Sequence, residues 1–354
     1  MKNKANNATI LNSGYQLSPQ STLNWKIAQF TVWLIGVSIL FNLIFNPIIG
    51  IHLFWNILIP VAPALIVIAV GLWRNICPMA STALFALHIN ISGRKKINIS
   101  QTGRIQLFAV ISLFIIVPLR HAIFDLNGPA TAVLIVALGV IAFISGLLFE
   151  WKSGWCSGLC PVHPVEKLYG LNNRFTFQNA HCDQCYRCVT PCPDTTPGIH
   201  PLSSEKTTYH KIAGYLMVGA FPGFIWGWFQ VPDYSGITSI EQLITIYKSP
   251  LIGSLVTSLL FFILKRYLKE NILYALFASS AVSCYYWFRI PALLGFGIFP
   301  GDGMLVDLSG VLPEWIIRVT VLATTLFFFW WIAIHNQKNT SWVSKPFYAN
   351  NVRN

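Results

Sequence analysis

The stretch TAVLIVALGVIAFISGLLF, residues 131–149, contains no charged side chain over nineteen consecutive positions. A helix rises about 1.5 Å per residue, so a helix of this length crosses the hydrocarbon core of a bilayer, which is ~30 Å thick. Seven further apolar stretches of similar length predict membrane helices at 27–45, 54–72, 105–124, 212–230, 250–268, 271–290 and 314–334. The sequence therefore predicts an all-α polytopic membrane protein with about eight transmembrane helices.

The composition of the whole chain agrees with a lipid solvent. Of its 354 residues, 54% are hydrophobic and 10% are charged, whereas a soluble domain usually carries about 25% charged residues. The net charge of +12 raises nucleic-acid binding as an alternative. The basic residues, however, fall in the segments that connect the apolar stretches and form no interleaved basic and aromatic face, so nucleic acid is not expected as a partner.

The distribution of the basic residues predicts the orientation in the membrane. Four of the 24 Lys and Arg residues fall on one predicted side, at Arg120, Lys248, Arg289 and Arg318, and all others fall on the opposite side. Because Lys and Arg accumulate on the cytoplasmic side of membrane proteins, both termini are predicted to be cytoplasmic. The predicted organisation is a flexible tail at 1–26, a four-helix membrane region at 27–149, a cytoplasmic segment at 150–211, four further membrane helices at 212–334 and a tail at 335–354.

Six of the eight cysteines lie in the predicted cytoplasmic segment, and four of them form a compact run. The run is Cys182-Asp-Gln-Cys185-Tyr-Arg-Cys188-Val-Thr-Pro-Cys192-Pro193. This is the C-x2-C-x2-C-x3-C-P pattern of bacterial ferredoxins, in which the short gaps wrap thiolates around a cubane. A structural zinc site normally uses two separated ligand pairs, and disulfides are rare in a reducing cytoplasm. The run therefore predicts a small ferredoxin-like loop that binds a [4Fe–4S] cluster.

A second pattern, C-x3-C-P, occurs at Cys156 and Cys160, and half of it recurs at Cys77-Pro78. Each Cys-Pro pair follows a membrane-edge segment and precedes a short helical pattern, at 79–91 and 162–170. Proline favours the first position of a helix, which places Cys77 and Cys160 near helix N-termini, where thiolate is favoured. We interpret Cys77, Cys156 and Cys160 as candidate metal ligands and Cys284 as a core residue.

Two ligand arrangements agree with these cysteines. In two-cluster ferredoxins the cysteine before the proline ligates the other cluster. Cys160 would then complete the cluster of Cys182, Cys185 and Cys188, and Cys192 would serve a second centre with Cys156 and Cys77. In the simpler arrangement the four cysteines of the run hold a single cluster, and the sequence does not choose between the two.

With these motifs, the chain resembles the membrane-bound polyferredoxins of the NapH, MauN and NosR-C-terminal type, which pair transmembrane helices with C-x3-C-P motifs and cytoplasmic ferredoxin runs. The motifs that carry the resemblance lie at 73–79, 155–161 and 182–193. The resemblance implies a protein of the bacterial inner (cytoplasmic) membrane that passes electrons between the quinone pool and a partner oxidoreductase or its maturation system. It implies an electron-transfer subunit rather than a stand-alone enzyme.

A rival function is a redox maturation or assembly factor, in which the thiols of Cys156 and Cys160 reduce a metal or a disulfide on a client protein. A third alternative is a scaffold whose cluster is structural. The absence of charged residues near the middle of any predicted span disfavours a pump or an ion-coupled transporter.

The histidines are candidate residues for a quinone site or a haem site. A quinone that exchanges electrons with a cytoplasmic cluster should bind at the cytoplasmic edge of the bilayer, because the hydrocarbon core is ~30 Å thick. We predict such a site between the second and fourth spans, with Arg74, His88 and His163 as its polar residues. His52 and His121 lie near the outer ends of their spans, and because neither is central in its span, the sequence disfavours a haem.

Overall fold

The structure, a computed structural model, describes residues 18–93, 95, 97–149, 152–170, 174–178, 180–181, 207–234, 239–335 and 343–344. The four cysteines of the ferredoxin-type run, Cys182, Cys185, Cys188 and Cys192, lie outside the described residues. The predicted ferredoxin-like loop therefore stays a prediction.

Helices make up almost all of the described chain. We number the main ones α1 to α10, and several combine α-helical and π-helical turns. They are α1 (Pro19–Phe45), α2 (Pro47–Ile51, His52–Leu58 and Ile59–Ile76), α3 (Pro78–His88), α4 (Ile99–Ile116, followed by the 3-10 turn Pro118–His121), α5 (Gly128–Leu148), α6 (Val162–Tyr169, preceded by the π-helical turn Lys152–Leu159), α7 (Thr208–Tyr215, Leu216–Ala220 and Phe221–Trp228), α8 (Ile240–Leu264), α9 (Glu270–Leu293) and α10 (Glu314–Phe329 and Trp330–Ile334). Two short strands, β1 (Phe177–Gln178) and β2 (Val343–Ser344), pair in parallel.

Six of the described helical segments are long and apolar enough to cross a membrane: Pro19–Phe45, Pro47–His88, Ile99–His121, Gly128–Leu148, Ile240–Leu264 and Glu314–Ile334. The all-α, multi-pass class is thereby confirmed. The predicted spans at 212–230 and 271–290 fall on α7 and α9, and their crossing of the bilayer stays a prediction. So does the side of the membrane on which each end of the bundle lies.

The first helix begins earlier than the apolar pattern predicts. The predicted tail ends at residue 26, whereas α1 starts at Pro19. The side chain of Ser18 caps this start by accepting a hydrogen bond from the amide of Ser21 at 3.1 Å. Proline at the first position is pre-organised for a helix, so capping and backbone geometry extend α1 beyond the apolar stretch.

The second helix is irregular along its length. It contains the π-helical segment His52–Leu58, and Pro63 lies inside its following α-helical part. At Ala69 the backbone leaves the helical region, with φ −149° and ψ 59°. Each irregularity interrupts the regular pattern of amide-to-carbonyl hydrogen bonds. Pro60 and Pro63 in the sequence predict a kink at their own positions. In the structure, the residue with non-helical backbone angles is Ala69, six residues after Pro63.

The largest hydrophobic core lies among α2, α7, α8, α9 and α10. Its aromatic side chains include Phe261 and Phe277, whose rings meet edge to face at 5.2 Å. The backbones of α7 and α8 come into direct contact, because a Cβ atom at Gly223 would lie only 1.9 Å from the carbonyl oxygen of Gly253. Cys284 packs against this core, in agreement with the prediction of a core residue.

Candidate functional site

The three described cysteines of the Cys-Pro motifs come together at one end of the bundle, which we call the cysteine end. Cys77, Cys156 and Cys160 pack in one cluster with Trp155 and residues of α3 and α5. Cys156 is buried, with 7% of its surface exposed. Segments separated by almost eighty residues in the sequence therefore meet, as their shared motif suggests.

The helix α3 is held at this position by a close approach to α5. A Cβ atom at Gly146 would lie 1.8 Å from the carbonyl oxygen of Ala83, so only glycine allows the two backbones to touch. The hydroxyl of Ser92 donates to the carbonyl oxygen of Gly146 at 2.6 Å. The cluster around Cys77 thus depends on a glycine in the apolar stretch of α5.

Cys77 lies at the start of α3, as the sequence predicts. It is the residue before the helix, with φ −57° and ψ 118°, and Pro78 occupies the first turn. The first turn of α3 makes no hydrogen bond to the Cys77 side chain. The position of Cys77 before Pro78 agrees with the predicted helix start.

Cys160 has a related environment before α6. The amide of His163 donates to the carbonyl oxygen of Cys160 at 3.3 Å. Burial raises the pKa of the Cys160 thiol to about 12, and the charge of Glu166 acts in the same direction. A thiol with this pKa is protonated at neutral pH and is a weak nucleophile, whereas a bound metal ion displaces the proton.

Among the described residues, no group of three or more His, Cys, Asp and Glu is arranged to hold a metal ion, and the described cysteines form no disulfide. Cys77, Cys156 and Cys160 therefore do not make a metal centre by themselves. Their sulfur atoms, which share one cluster, fit the role of additional ligands to a centre whose other ligands come from the predicted ferredoxin-like loop.

A buried ion pair lies beside the cysteines. Arg74 of α2 binds Glu166 of α6, and their side chains are 7% and 5% exposed. The indole nitrogen of Trp73 donates to the other carboxylate oxygen of Glu166 at 3.0 Å. Nδ1 of His163 lies 3.2 Å from Nη1 of Arg74 and 3.3 Å from the Glu166 carboxylate. Arg74 and His163 are among the residues that the sequence predicts for a site, and Glu166 is not.

The charges in this group offset one another. Burial alone would raise the pKa of Glu166, but the Arg74 guanidinium and His163 bring it below its ordinary value. Burial lowers the pKa of His163, although hydrogen bonding to Glu166 opposes the shift. At neutral pH the group therefore consists of two opposite charges, Arg74 and Glu166, and a neutral His163 imidazole. The attraction between the two charges offsets part of the free-energy cost of removing them from water.

The segment that leads into the ferredoxin-type run is attached to the cysteine end. The side-chain amide of Asn75 donates to the carbonyl oxygen of Gln178 at 2.8 Å and accepts from the amide of Ala180 at 3.1 Å. Nε2 of His181 lies 3.2 Å from the carbonyl oxygen of Arg74. Gln178, Ala180 and His181 are thus bound to the turn that carries Cys77. The sequence does not predict these contacts of Asn75.

Of the three residues predicted for a quinone site, Arg74 and His163 meet and His88 lies apart. Arg74 and His163 belong to the buried ion-pair group. His88, at the end of α3, lines a separate cavity of about 710 Å³ between α1, α3, α5 and residues 180–181. The described residues that line this cavity include neither Arg74 nor His163.

At the opposite end of the bundle, His121 is held by two partners. Its Nδ1 lies 2.7 Å from an Asp233 carboxylate oxygen, and its Nε2 lies 2.9 Å from the carbonyl oxygen of Trp228. The neighbouring Arg120 makes a two-point ion pair with Asp125, at 2.9 and 3.1 Å. Both ring nitrogens of His121 are thus engaged by the protein, which leaves neither for a haem iron.

Comparison with protein-family models, with curated proteins and with solved structures gives no match. The resemblance to the membrane-bound polyferredoxins therefore rests on the cysteine motifs of the sequence.

Proposed function

We propose that this protein is a membrane-bound iron–sulfur electron-transfer protein that passes electrons between the quinone pool and a partner oxidoreductase. The observation that carries the proposal is the attachment of Gln178, Ala180 and His181 to the turn that holds Cys77. In the sequence, Cys182 of the ferredoxin-type run follows His181 directly. The attachment of His181 to the Arg74 carbonyl therefore supports the proposal that the run and the Cys-Pro motifs serve one centre.

The residues proposed to hold a [4Fe–4S] cluster are Cys182, Cys185 and Cys188, with either Cys192 or Cys160 as the fourth ligand. A cluster of this type supplies one-electron transfer when it is bound. The protein would contribute the buried surroundings of Cys77, Cys156 and Cys160, because the hydrophobic shell and solvent exposure around a cluster influence its reduction potential.

Burial favours a ligand role over the rival role in client reduction. A thiol that reduces a disulfide on a client must reach the client's sulfur atom, and accessible thiols are the reactive ones. Cys156 is 7% exposed and packs beside Trp155, which is 3% exposed. A C-x3-C pair in this environment suits ligation better than thiol exchange.

The proposal is tested by analysing protein that is purified anaerobically in mild detergent. We expect iron and acid-labile sulfide in about four-to-four stoichiometry per cluster. Cys185→Ser should abolish both, whereas Cys284→Ser, in the core of α9, should leave both unchanged. Stoichiometric zinc without labile sulfide would contradict the proposal.

The fourth ligand is tested with two further variants. If Cys160 completes the cluster, Cys160→Ser should change the electron paramagnetic resonance signal towards a three-iron or altered four-iron form, and Cys192→Ser should leave that signal in place. Complete loss of the cluster in Cys192→Ser, with Cys160→Ser unchanged, would assign all four ligands to the run.

A further inference from the structure

A small pocket lies at the end of the bundle opposite the cysteine end, where α4, α7 and α9 finish. Its volume is about 40 Å³, and because one water molecule needs ~10–15 Å³, the pocket accommodates a group of a few heavy atoms. The loop after α9 supplies one wall, with lining residues between 297 and 303. The ionisable residues of the lining are His121, Asp125, Asp233, Arg289 and Asp302.

Arg289 of α9 brings a buried positive charge to this pocket. It is 3% exposed, and within the described residues it bonds only through Nη2, which donates to the Trp55 carbonyl oxygen and to Oδ1 of Asn56. Its Nε is buried without a hydrogen-bond partner. Both acceptors are uncharged, and no carboxylate in the described part of the chain forms an ion pair with this guanidinium. An acceptor with negative charge in the pocket is therefore favoured.

Asp302, in the loop after α9, brings a negative charge to the same pocket. Its Oδ2 accepts a hydrogen bond from the amide of Asp233 at 2.8 Å, and no described cation forms an ion pair with it. Burial raises the pKa of the Asp302 carboxyl above its ordinary value. A cation beside this carboxyl is therefore favoured, because it stabilises the ionised form.

The two other carboxylates of the lining already have partners. Asp125 makes a two-point ion pair with Arg120, at 2.9 and 3.1 Å. An oxygen of Asp233 lies 2.7 Å from Nδ1 of His121. Neither carboxylate contacts Arg289, so the pocket keeps one positive and one negative group without an ion partner among the described residues.

These two groups lie close together without touching. A Cβ atom at Gly303 would clash with Nη1 of Arg289, so the loop passes directly against the guanidinium at this residue. Asp302 is the preceding residue, and neighbouring Cα atoms are about 3.8 Å apart. Opposite charges this close would pair directly if the pocket were collapsed, whereas here a space separates them. A ligand that carries both charges fits this space.

The predicted spans place the pocket at the membrane edge. The stretches 105–124, 212–230 and 271–290 end close to His121, Trp228 and Arg289, which all line the pocket. Trp228 and Phe288 add aromatic rings to the lining, and aromatic residues are enriched at the membrane–water interface. Lipid head groups, rather than acyl chains, lie at this level.

We infer that this pocket binds a phosphoethanolamine diester, with its phosphate at Arg289 and its ammonium group at Asp302. Guanidinium N–H groups donate to phosphate oxygens, and a primary ammonium group donates to a carboxylate. The diester is zwitterionic, so it gives each unpaired charge a partner and adds no net charge to the pocket. Two sources have this chemistry: the membrane lipid phosphatidylethanolamine and its water-soluble form, glycerophosphoethanolamine.

The lining disfavours two other common head groups. Phosphatidylglycerol has no ammonium group, so it would add an uncompensated negative charge beside the carboxylates of Asp125, Asp233 and Asp302. Phosphatidylcholine has three methyl groups where ethanolamine has N–H donors. It therefore cannot donate to Asp302, and its head group is larger in a pocket of about 40 Å³.

Native mass spectrometry tests the inference on full-length protein released from nanodiscs with equal amounts of phosphatidylethanolamine, phosphatidylcholine and phosphatidylglycerol. We expect the wild type to retain phosphatidylethanolamine about ten-fold more than either other lipid, which corresponds to one charge-assisted hydrogen bond. Asp302→Asn keeps an oxygen that accepts from the Asp233 amide but removes the charge. It should reduce the preference to about two-fold or less.

Three further variants serve as controls. Asp307→Asn is the matched control, because Asp307 lies in the same loop, bonds to Ser309 and is outside the lining; its lipid preference should equal that of the wild type. Arg289→Lys should also reduce the preference, and because Arg289 bonds to α2, its unfolding midpoint is measured alongside. If Arg289→Lys does not fold, Asp302→Asn decides. Cys185→Ser should lose the proposed cluster and keep the lipid preference, so the inference and the proposed function fail independently.

Calorimetric titration with glycerophosphoethanolamine, using protein in phosphatidylcholine nanodiscs, separates the two sources. Binding that is lost in Asp302→Asn, without any lipid preference, would support the site and assign its ligand to the aqueous phase. Equal retention of the three lipids together with no binding of glycerophosphoethanolamine would overturn the inference and leave the pocket to water. An unchanged preference for phosphatidylethanolamine in Asp302→Asn would overturn it as well, because the lipid would then bind elsewhere.

Discussion

The phenol oxygen of Tyr286 lies 2.5 Å from the carbonyl oxygen of Pro60. The same oxygen accepts a hydrogen bond from the amide of Ala64 at 2.8 Å. In a regular helix the Ala64 amide would donate to the Pro60 carbonyl, so the α9 side chain is inserted into the hydrogen-bond ladder of α2. A hydroxyl can do this because it both donates and accepts.

Other side chains of the C-terminal half also bind irregular parts of α2. Arg289 donates to the carbonyl oxygen of Trp55 at 2.8 Å and to Oδ1 of Asn56 at 2.6 Å, within the π-helical segment. The indole nitrogen of Trp331 donates to the carbonyl oxygen of Val67 at 3.1 Å, two residues before the break at Ala69. We infer that α9 and α10 hold α2 in the irregular course that brings Arg74 and Cys77 to the cysteine end.

Tyr286→Phe should therefore destabilise the whole bundle. The change leaves the Pro60 carbonyl and the Ala64 amide without their partner in a buried place, which costs about 1–3 kcal/mol. Thermal unfolding in detergent measures this as a lower midpoint. Tyr267→Phe is the matched control, because Tyr267 is 79% exposed. Equal midpoints for the two variants would contradict a structural role for the Tyr286 hydroxyl.

The ion pair between Arg74 and Glu166 gives a second prediction. Glu166→Gln leaves the Arg74 charge buried without its counter-charge, and breaking a buried pair in this way costs about 3–5 kcal/mol. The double change Arg74→Met with Glu166→Leu should recover most of the loss, because it removes both charges. The midpoint of chemical or thermal unfolding reports both effects.

An exposed pair provides the control for this prediction. Arg318 and Glu314 are bonded at 2.8 Å on α10, with side chains 75% and 64% exposed. Exposed pairs contribute about 0–1 kcal/mol, so Glu314→Gln should change stability little. A loss in Glu314→Gln as large as that in Glu166→Gln would show that the buried pair has no special role.

The sequence predicts the helices well because lipid imposes a simple rule. A run of about 20 apolar residues must be helical to satisfy its backbone groups, so each predicted span falls on a helix. The sequence also predicts that Cys77 lies at the start of a helix, because Pro78 restricts the backbone locally. These features depend on residues close together in the chain.

The arrangement of the site depends on contacts between distant segments, and the sequence alone does not specify it. Arg74, His88 and His163 are all polar residues near the same membrane edge, yet Glu166 draws two of them into an ion-pair group and leaves His88 at the cavity. The one feature of the sequence that could have pointed to Glu166 is the small number of acidic residues in the chain, which is 12. The helix α1 lies outside the stretches that carry the cysteine motifs, so no motif in the sequence predicts that α1 lines the cavity.

Asn75 yields a third prediction, on the segment before the ferredoxin-type run. Asn75→Ala removes the hydrogen bonds to Gln178 and Ala180, and the loss of about 1 kcal/mol should accelerate hydrogen exchange of the Ala180 amide roughly five-fold. Mass spectrometry of the peptide that contains residues 174–181 measures the rate. Asn42→Ala is the control, since Asn42 donates to Ser38 within α1. Unchanged exchange in Asn75→Ala would show that other contacts hold the segment.

The glycine at the α3–α5 contact gives the last prediction, which connects packing to the candidate ligands. Gly146→Ala places a methyl group where the Ala83 carbonyl oxygen lies, so α3 must move away from α5. Overpacking of this kind costs about 1–3 kcal/mol, and the movement displaces Cys77 from Cys160. We expect a lower unfolding midpoint together with an altered electron paramagnetic resonance signal if either cysteine serves the cluster.

Gly139→Ala, on the same helix, is the control, because nothing lies within 4 Å of the added Cβ. This variant should be neutral or stabilised by up to about 1 kcal/mol, because alanine favours a helix. A Gly146→Ala protein that unfolds at the wild-type temperature would contradict the close approach, whereas a destabilised protein with an unchanged signal would assign all cluster ligands to the four cysteines of the run.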